Sequence, residues 1–572
     1  MSDLDLRLRD RAGLRRAVVL LAALLGLVLV VVGGSLLHVQ SAVAPVPRTA
    51  VVGRTSAVCP VLSATPDPTA SPSATPSEGS TPAPGTTPAP GTTPAPGTTP
   101  SPATPGSTPS PATPGTTPAS GTTPSPATPG ATTIPAATPS PQVSASTGSV
   151  APSSVSVVTV RQGGQGGGRV TGAPVSDPGQ AIDQLELTQQ GTGGQAPAAS
   201  TVVLSAEGSM ATALGGVVSS ASTTGETAGL VAAPCLAPAT EQWFPGLSAD
   251  AADRSELVLS NSDEAQAEVD LRFYGPDGRV VVPGSPGVVV GAGETRTVSV
   301  AGLAAVTGPV AVGVRASEGR VSVAVRRVRT DQLQPAGADW QVPSVAPTTR
   351  ALIPGVPGET GPRVLQLVNP GTDRAMVSVE LLGLGGPFAP AGADLVEVPA
   401  ESTASVELTA GLAGQAAGVR LTSDVPVTGA VISTSRRAGA TPDLAVQSAQ
   451  PALVRQGLSA VATTTTATDS ELVLSNGGDA DAPVTFEVFS YAGVSLRRDD
   501  VLLGAGTSAT RRLTSPAPSY VVVTVPDGSS VVGSVTLTQP EGDAAGLATI
   551  PLTSPDVAGR APRVEQDPAV GR

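Results

Sequence analysis

Few side chains in this sequence could do chemistry. Its only histidine is His38, its only cysteines are Cys59 and Cys235, and it has no lysine. A single histidine removes Ser-His-Asp and Cys-His nucleophile arrangements and every His-based metal site. Two thiolates without histidine also fall short of a four-ligand zinc site. Glycoside hydrolysis needs only two carboxylates. Asp270, Glu294, Glu380, Glu401 and Glu487 are candidates, but they fall on wet strand faces or in turns, and Glu268, Glu380 and Glu487 occupy matching polar slots. The run GGQGGGRV from Gly163 lacks the Lys-Ser/Thr end of a phosphate-binding loop and the acidic partner of a dinucleotide site. No catalytic set, metal site or cofactor is therefore expected, and the chain reads as non-enzymatic.

Binding residues are a little easier to find. Trp243, Phe244 and Trp340 could form an aromatic ligand platform of the kind sugar-binding modules present, or could pack between domains. Arg326, Arg327 and Arg329, in the run RRVR, read as an outward-facing basic stripe: a solvated strand edge, or a patch for an anionic lipid or polymer. The formal net charge of −13 argues against nucleic acid as a partner.

The elements that must carry these residues repeat. The segment SELVLSN occurs at Ser255 and again at Ser470, and VLQLVN at Val364 is a third version. The anchoring asparagines Asn261, Asn369 and Asn476 recur 108 and then 107 residues apart. After each comes period-two alternation, as in Val269, Leu271 and Phe273 between Glu268, Asp270 and Arg272, which predicts a strand with one buried face. Segments around Val310, Ala416 and Tyr520, broken at SEG, SDV and PDGS, predict a closing hairpin in each copy. Units of this length with short strands suit an immunoglobulin-like or fibronectin-like sandwich. The predicted class is all-β: tandem sandwiches over 241–345, 346–452 and 453–560, preceded by a degenerate first copy over 38–240. That first copy is interrupted by a Pro/Thr-rich tract, 63–150, too proline-rich for helix or sheet. Residues 561–572 read as a disordered tail.

Cys59 and Cys235 flank the interruption. They read as a disulfide in an oxidising compartment, the alternative being two separate buried thiols. At the other end, residues Ala17 to Leu37 are uncharged and apolar behind Arg7, Arg9, Arg11, Arg15 and Arg16. This predicts a transmembrane helix over 17–37 held in the lipid bilayer, a cytoplasmic tail over 1–16, and a single-pass plasma-membrane protein with the rest of the chain outside. A cleaved signal peptide is the alternative. His38 then sits at the membrane interface.

The apolar run, the pair Cys59-Pro60, and the strand starts Leu257–Asn261, Leu365–Asn369 and Leu472–Asn476 together resemble a family of uncharacterised actinobacterial, membrane-anchored cell-envelope proteins. The resemblance implies no activity. It does imply a place beside cell-envelope glycosyltransferase systems. The expected role is a scaffold or accessory protein meeting envelope proteins. A carbohydrate- or wall-polymer-binding module is the second reading, and a glycoside hydrolase the third.

Overall fold

The computed structural model describes residues 49–50, 53–61, 153–160, 167–188, 192–303, 306–462, 468–515, 517–555 and 559–560. The expected tails 1–16 and 561–572, the apolar run 17–37 with His38, and the tract 63–150 lie outside them. Among the described residues no helix is long and apolar enough to cross a membrane, a task needing about 20 residues. Among the described residues the α-helices are single turns, Val300–Leu303 and Thr409–Leu412. The single-pass plasma-membrane placement expected from the sequence is therefore not supported.

The regular structure of the described residues is almost entirely strand, because their alternating segments each bury one face. In Ala267–Gly275, Val269, Leu271 and Phe273 are buried while Arg272 is exposed. The strands form paired antiparallel sheets on one plan, repeated four times. In the second unit one sheet runs Glu241–Ser248, Pro309–Glu318, Ala267–Gly275, with short Gly278–Val280 and Val288–Val290 on its outer edge. The facing sheet runs Thr295–Ser299, Asp253–Ser260, Ser322–Asp331, Gln334–Gln341. The fourth unit repeats this order with Gln456–Val461, Ser519–Thr524, Ala482–Ser490 and Ser495–Leu503 opposite Ser508–Arg512, Asp469–Asn476, Val531–Thr538 and Leu547–Pro551. So does the first, with Arg54–Cys59, Val202–Gly208 and Gly168–Pro174 opposite Gly193–Ala198, Ser153–Thr159, Leu214–Ser222 and Gly229–Pro234. The long insertion thus separates the first unit's opening strand from its second.

The closing segment is not a hairpin. In the second unit Pro309–Glu318 pairs within one sheet and Ser322–Asp331 within the other, so the chain arches across the sandwich. In the third unit the two halves are a single strand, Ala417–Ser435, which serves both sheets and is part-exposed only near its middle. A turn sequence between two alternating segments reads the same for a hairpin and for an arch. What distinguishes them is which strand receives the backbone hydrogen bonds, and that is a long-range matter.

The repeated asparagines explain the repeated heptad. Leu257 and Leu259, Leu365 and Leu367, and Leu472 and Leu474 point into the three sandwich cores. A buried asparagine then ends each strand or directly follows it. Asn369 donates its amide to the Asp373, Val398 and Pro399 carbonyls and accepts from the Gly371 N–H. Asn261 and Asn476 make the same local bonds, to Ala265 and Asp263 and to Ala480 and Gly478. One side chain thereby closes its own turn and ties it to the carbonyl of a residue 27 to 29 positions on. Aspartate could not donate, and leucine would leave those groups unpaired. In the first unit Thr159 stands at this place, with its hydroxyl buried and without a partner among the described residues. Replacing Asn369 or Asn476 by alanine is expected to lower unfolding free energy by roughly 1–3 kcal/mol, because it orphans buried backbone groups. Denaturant midpoints measure this, and a loss near zero would mean that water takes over the asparagine's role.

Candidate functional site

The last strand of each sandwich is the edge of its sheet, and the four edges meet. Gly229–Pro234 touches Gln334–Gln341, which touches Asp443–Ser448, which touches Leu547–Pro551, which returns to Gly229–Pro234. Edge strands carry unpaired N–H groups, and buried N–H groups must find acceptors. Two carboxylates supply them. Asp443, fully buried, accepts from the N–H of Leu230 (2.8 Å) in the first unit and of Leu547 (2.8 Å) in the fourth. It also accepts from Leu444 (2.9 Å) and, more weakly, from Ala338 (3.4 Å) in the second unit. Asp339, 1 % exposed, accepts from Val446 (3.1 Å) in the third unit and Ala232 (3.4 Å) in the first. Asp339 and Asp443 between them therefore touch all four units.

Burial pushes the Asp443 carboxyl up to about 8, outweighing the four N–H groups that favour its charged form. Asp339 is also raised well above its ordinary value, first by burial and then by the charge of Asp443, against its own N–H donors. No arginine lies among the causes of either shift.

Around this hub the contacts repeat. The opening strand Glu241–Ser248 of the second unit lies on Arg363–Asn369 and Ala417–Ser435 of the third. Thr348–Val356 lies likewise on the fourth, and Gln456–Val461 on the first. Two of these strands carry Pro-Gly, at Pro245-Gly246 and Pro354-Gly355, and both register ladders slip nearby. Gly246 (φ +76°) and Gly355 (φ +46°) have left-handed backbones. A Cβ there would come within 2.5 Å of Gln366 and 2.1 Å of Ser534 in the next unit, so only glycine permits the approach. The recurrence of FPG and IPG is the signal in the sequence that marks these contacts. The circuit is closed between the fourth unit and the first: Thr192 and Gly193 donate N–H to the Tyr491 carbonyl, and Val158 and Val217 join the fourth unit's core cluster. Thr49–Ala50 also pairs antiparallel with Gly559–Arg560.

Cys59 and Cys235 are bonded, joining the end of the first unit's opening strand to the residue after its last. The aromatic platform is not present. Trp243, Phe244 and Trp340 are only 8 %, 0 % and 3 % exposed. Trp243 packs with Tyr274 and Ala311 against Val368 of the third unit. Phe244 is in the second core, and Trp340 packs with Val218, Val231 and Ala233 of the first unit. Apolar rings are drawn to these contacts because closing the circuit buries them. The basic stripe is likewise neutralised. Arg327, 1 % exposed, grips Asp253 with two 2.9 Å bonds, Arg329 shares that carboxylate, and Arg326 faces Glu256. Burial alone would raise the Asp253 carboxyl, but the two guanidiniums hold it below its ordinary value. Of the acids considered for glycoside hydrolysis, Glu380 pairs with Arg420 and Glu294 caps its own turn at the Gly291 N–H. No group of three His, Cys, Asp or Glu suited to a metal occurs among the described residues.

A family model described as a family of unknown function, DUF5719, matches residues 188–514, more than half of the chain and parts of all four units. The chain belongs to the DUF5719 family. No curated protein matches it in sequence. Among solved structures, a Bacteroides uniformis beta-glucuronidase is 12 % identical with a TM-score of 0.11, over 36 % of this chain and 26 % of that one. A calcium-binding mutant of beta-glucuronidase 2 from the same organism is 12 % identical with a TM-score of 0.10 over the same shares. The DUF5719 chain thus spans about a quarter of these enzymes, and likeness at that level carries no functional argument.

Two measurements test the assembly of this DUF5719 chain. Cys59→Ser, or reduction, should lower stability by about 2–5 kcal/mol, since the bond closes a loop of 176 residues that the chain-entropy model values at about 5 kcal/mol. An unchanged thermal midpoint after reduction would contradict this. Folding raises the Asp443 carboxyl, so the folded state binds more protons than the unfolded one between about 4 and about 8. The stability it contributes is complete below that window and is lost as pH rises through it. The thermal midpoint should fall from pH 6 to pH 9, and Asp443→Ala should flatten the slope while lowering the midpoint throughout. A slope equally steep in the variant would assign the effect to other groups.

Proposed function

We propose that this chain is a non-enzymatic interaction scaffold that presents the outer sheet edges of its repeated units to a protein partner. One observation carries the reading. Of the ten large apolar side chains exposed among the described residues, eight lie on or beside one equivalent edge. In the second unit they are Val281 and Val289, in the third Leu384, Phe388 and Leu395, and in the fourth Val494, Leu496 and Leu502. These edges are the short strands Gly278–Val280 and Val288–Val290, then Gly386–Phe388 and Leu395–Val398, then Ser495–Leu503, each paired on one side only. Solvent-facing apolar side chains cost nothing to replace by polar ones, so their recurrence on free edges suits a partner that adds an extended segment there. The actinobacterial cell-envelope setting, and an envelope protein as that partner, are supported by the sequence resemblance alone. The alternative of a carbohydrate platform has lost its residues, since Trp243, Phe244 and Trp340 are used between and within units.

The test is photocrosslinking from Leu384 and Leu496 in the native host, compared with the same chains carrying Leu395→Arg or Leu502→Arg. One discrete adduct, lost in the arginine variants while unfolding free energies stay within about 0.5 kcal/mol of the parent, supports the reading. Adducts that persist in the arginine variants would discard it.

A further inference from the structure

A cleft of about 420 Å³ opens between the second and third units, and neither hub carboxylate lines it. Its charged lining is three guanidiniums, Arg327, Arg329 and Arg436, against two carboxylates, Asp250 and Asp253, in a chain whose net charge is −13. Asp253 is committed to Arg327 and Arg329, and Asp250 accepts the Ala252 N–H. Arg327 is buried with its Nε unpartnered among the described residues. Arg329 reaches across from the second unit to donate to the Thr434 hydroxyl of the third at 3.2 Å. Two residues beyond Thr434, the exposed Arg436 side chain makes no ion pair among the described residues. The cleft thus holds one cation more than its carboxylates balance, brought there by two different units.

We propose that this cleft binds the oxyanion of a small ligand, a carboxylate or a phosphate, between Arg329 and Arg436. Guanidinium groups donate in a planar fork that matches such anions, and Asp253 holds Arg329 in place to do so. The apolar neighbours Leu247, Val306 and Ile432 would accept the uncharged part of the ligand. Because the two arginines come from adjacent units, the bound anion also ties those units together.

Equilibrium dialysis of the full chain at low ionic strength, with labelled inorganic phosphate in one arm and labelled succinate in the other, tests this. Saturable binding at one site per chain is expected in at least one arm, and the arm that binds identifies the anion. Arg436→Gln should weaken it about tenfold or more, the size of one charge-assisted hydrogen bond. Arg436→Lys should fall between. Arg498→Gln, an exposed arginine in the fourth unit, makes the same change in net charge and should have no effect. As a measurement on the unaltered chain, the binding anion should protect Arg436 from phenylglyoxal, read by peptide mass. Absence of saturable binding in both arms, equal weakening in Arg498→Gln, or no protection of Arg436 would each overturn the proposal.

Discussion

The structure depends on how the backbone N–H groups of four edge strands are satisfied once they are brought together. Each sandwich ends in a strand with one side free. In an isolated unit that side would face water. Here the four free sides face each other, and water is excluded from the Leu230, Leu547, Ala232 and Val446 amides. Unmet, each would cost on the order of 1–3 kcal/mol. Asp443 and Asp339 answer that need with carboxyl oxygens, each able to accept more than one N–H. The cost is burial of acid groups without a counter-cation, which shows as carboxyls raised far above their usual range.

Closure of the circuit follows from the same repetition. The opening strands of the second, third and fourth units lie against the middle strands of the third, fourth and first, a head-to-tail contact. Such a contact either propagates or closes, and here it closes after four units. Pro-Gly at Gly246 and Gly355 sets how closely neighbours approach. The first unit departs most from the pattern, with an insertion after its opening strand and Thr159 in place of the asparagine. It is also the unit with a covalent bond, Cys59–Cys235, holding its opening strand to its end. Interior faces are consumed by closure, which leaves sheet edges and the clefts between units as places where another molecule can be met.

Much of this was legible in the sequence. Strand identity, the repeat length and the recurrence of Asn261, Asn369 and Asn476 depend on alternation and local turn chemistry, which act within a few residues. The kinship of the first unit was visible in weaker form through its last strands, and the pairing of the cysteines through their position on either side of the insertion. The arch at Pro309–Asp331 was not legible, because its turn residues are those of a hairpin. Trp243, Trp340 and the RRVR run carried the right chemistry for a ligand platform and a basic stripe, but their neighbours come from other units. Asp339 and Asp443 gave no signal, for neither is repeated and each looks like a strand-edge acid.

The sequence by itself therefore determined the strands, their grouping into sandwiches and the recurring asparagine after each core strand. Those are decided by contacts between residues close along the chain or at a fixed repeat. Only the tertiary structure decided which charges are buried, which rings are covered and which edges stay free. Those depend on packing one unit against another, where a residue's partner lies about a hundred positions away and nothing in the local pattern points to it.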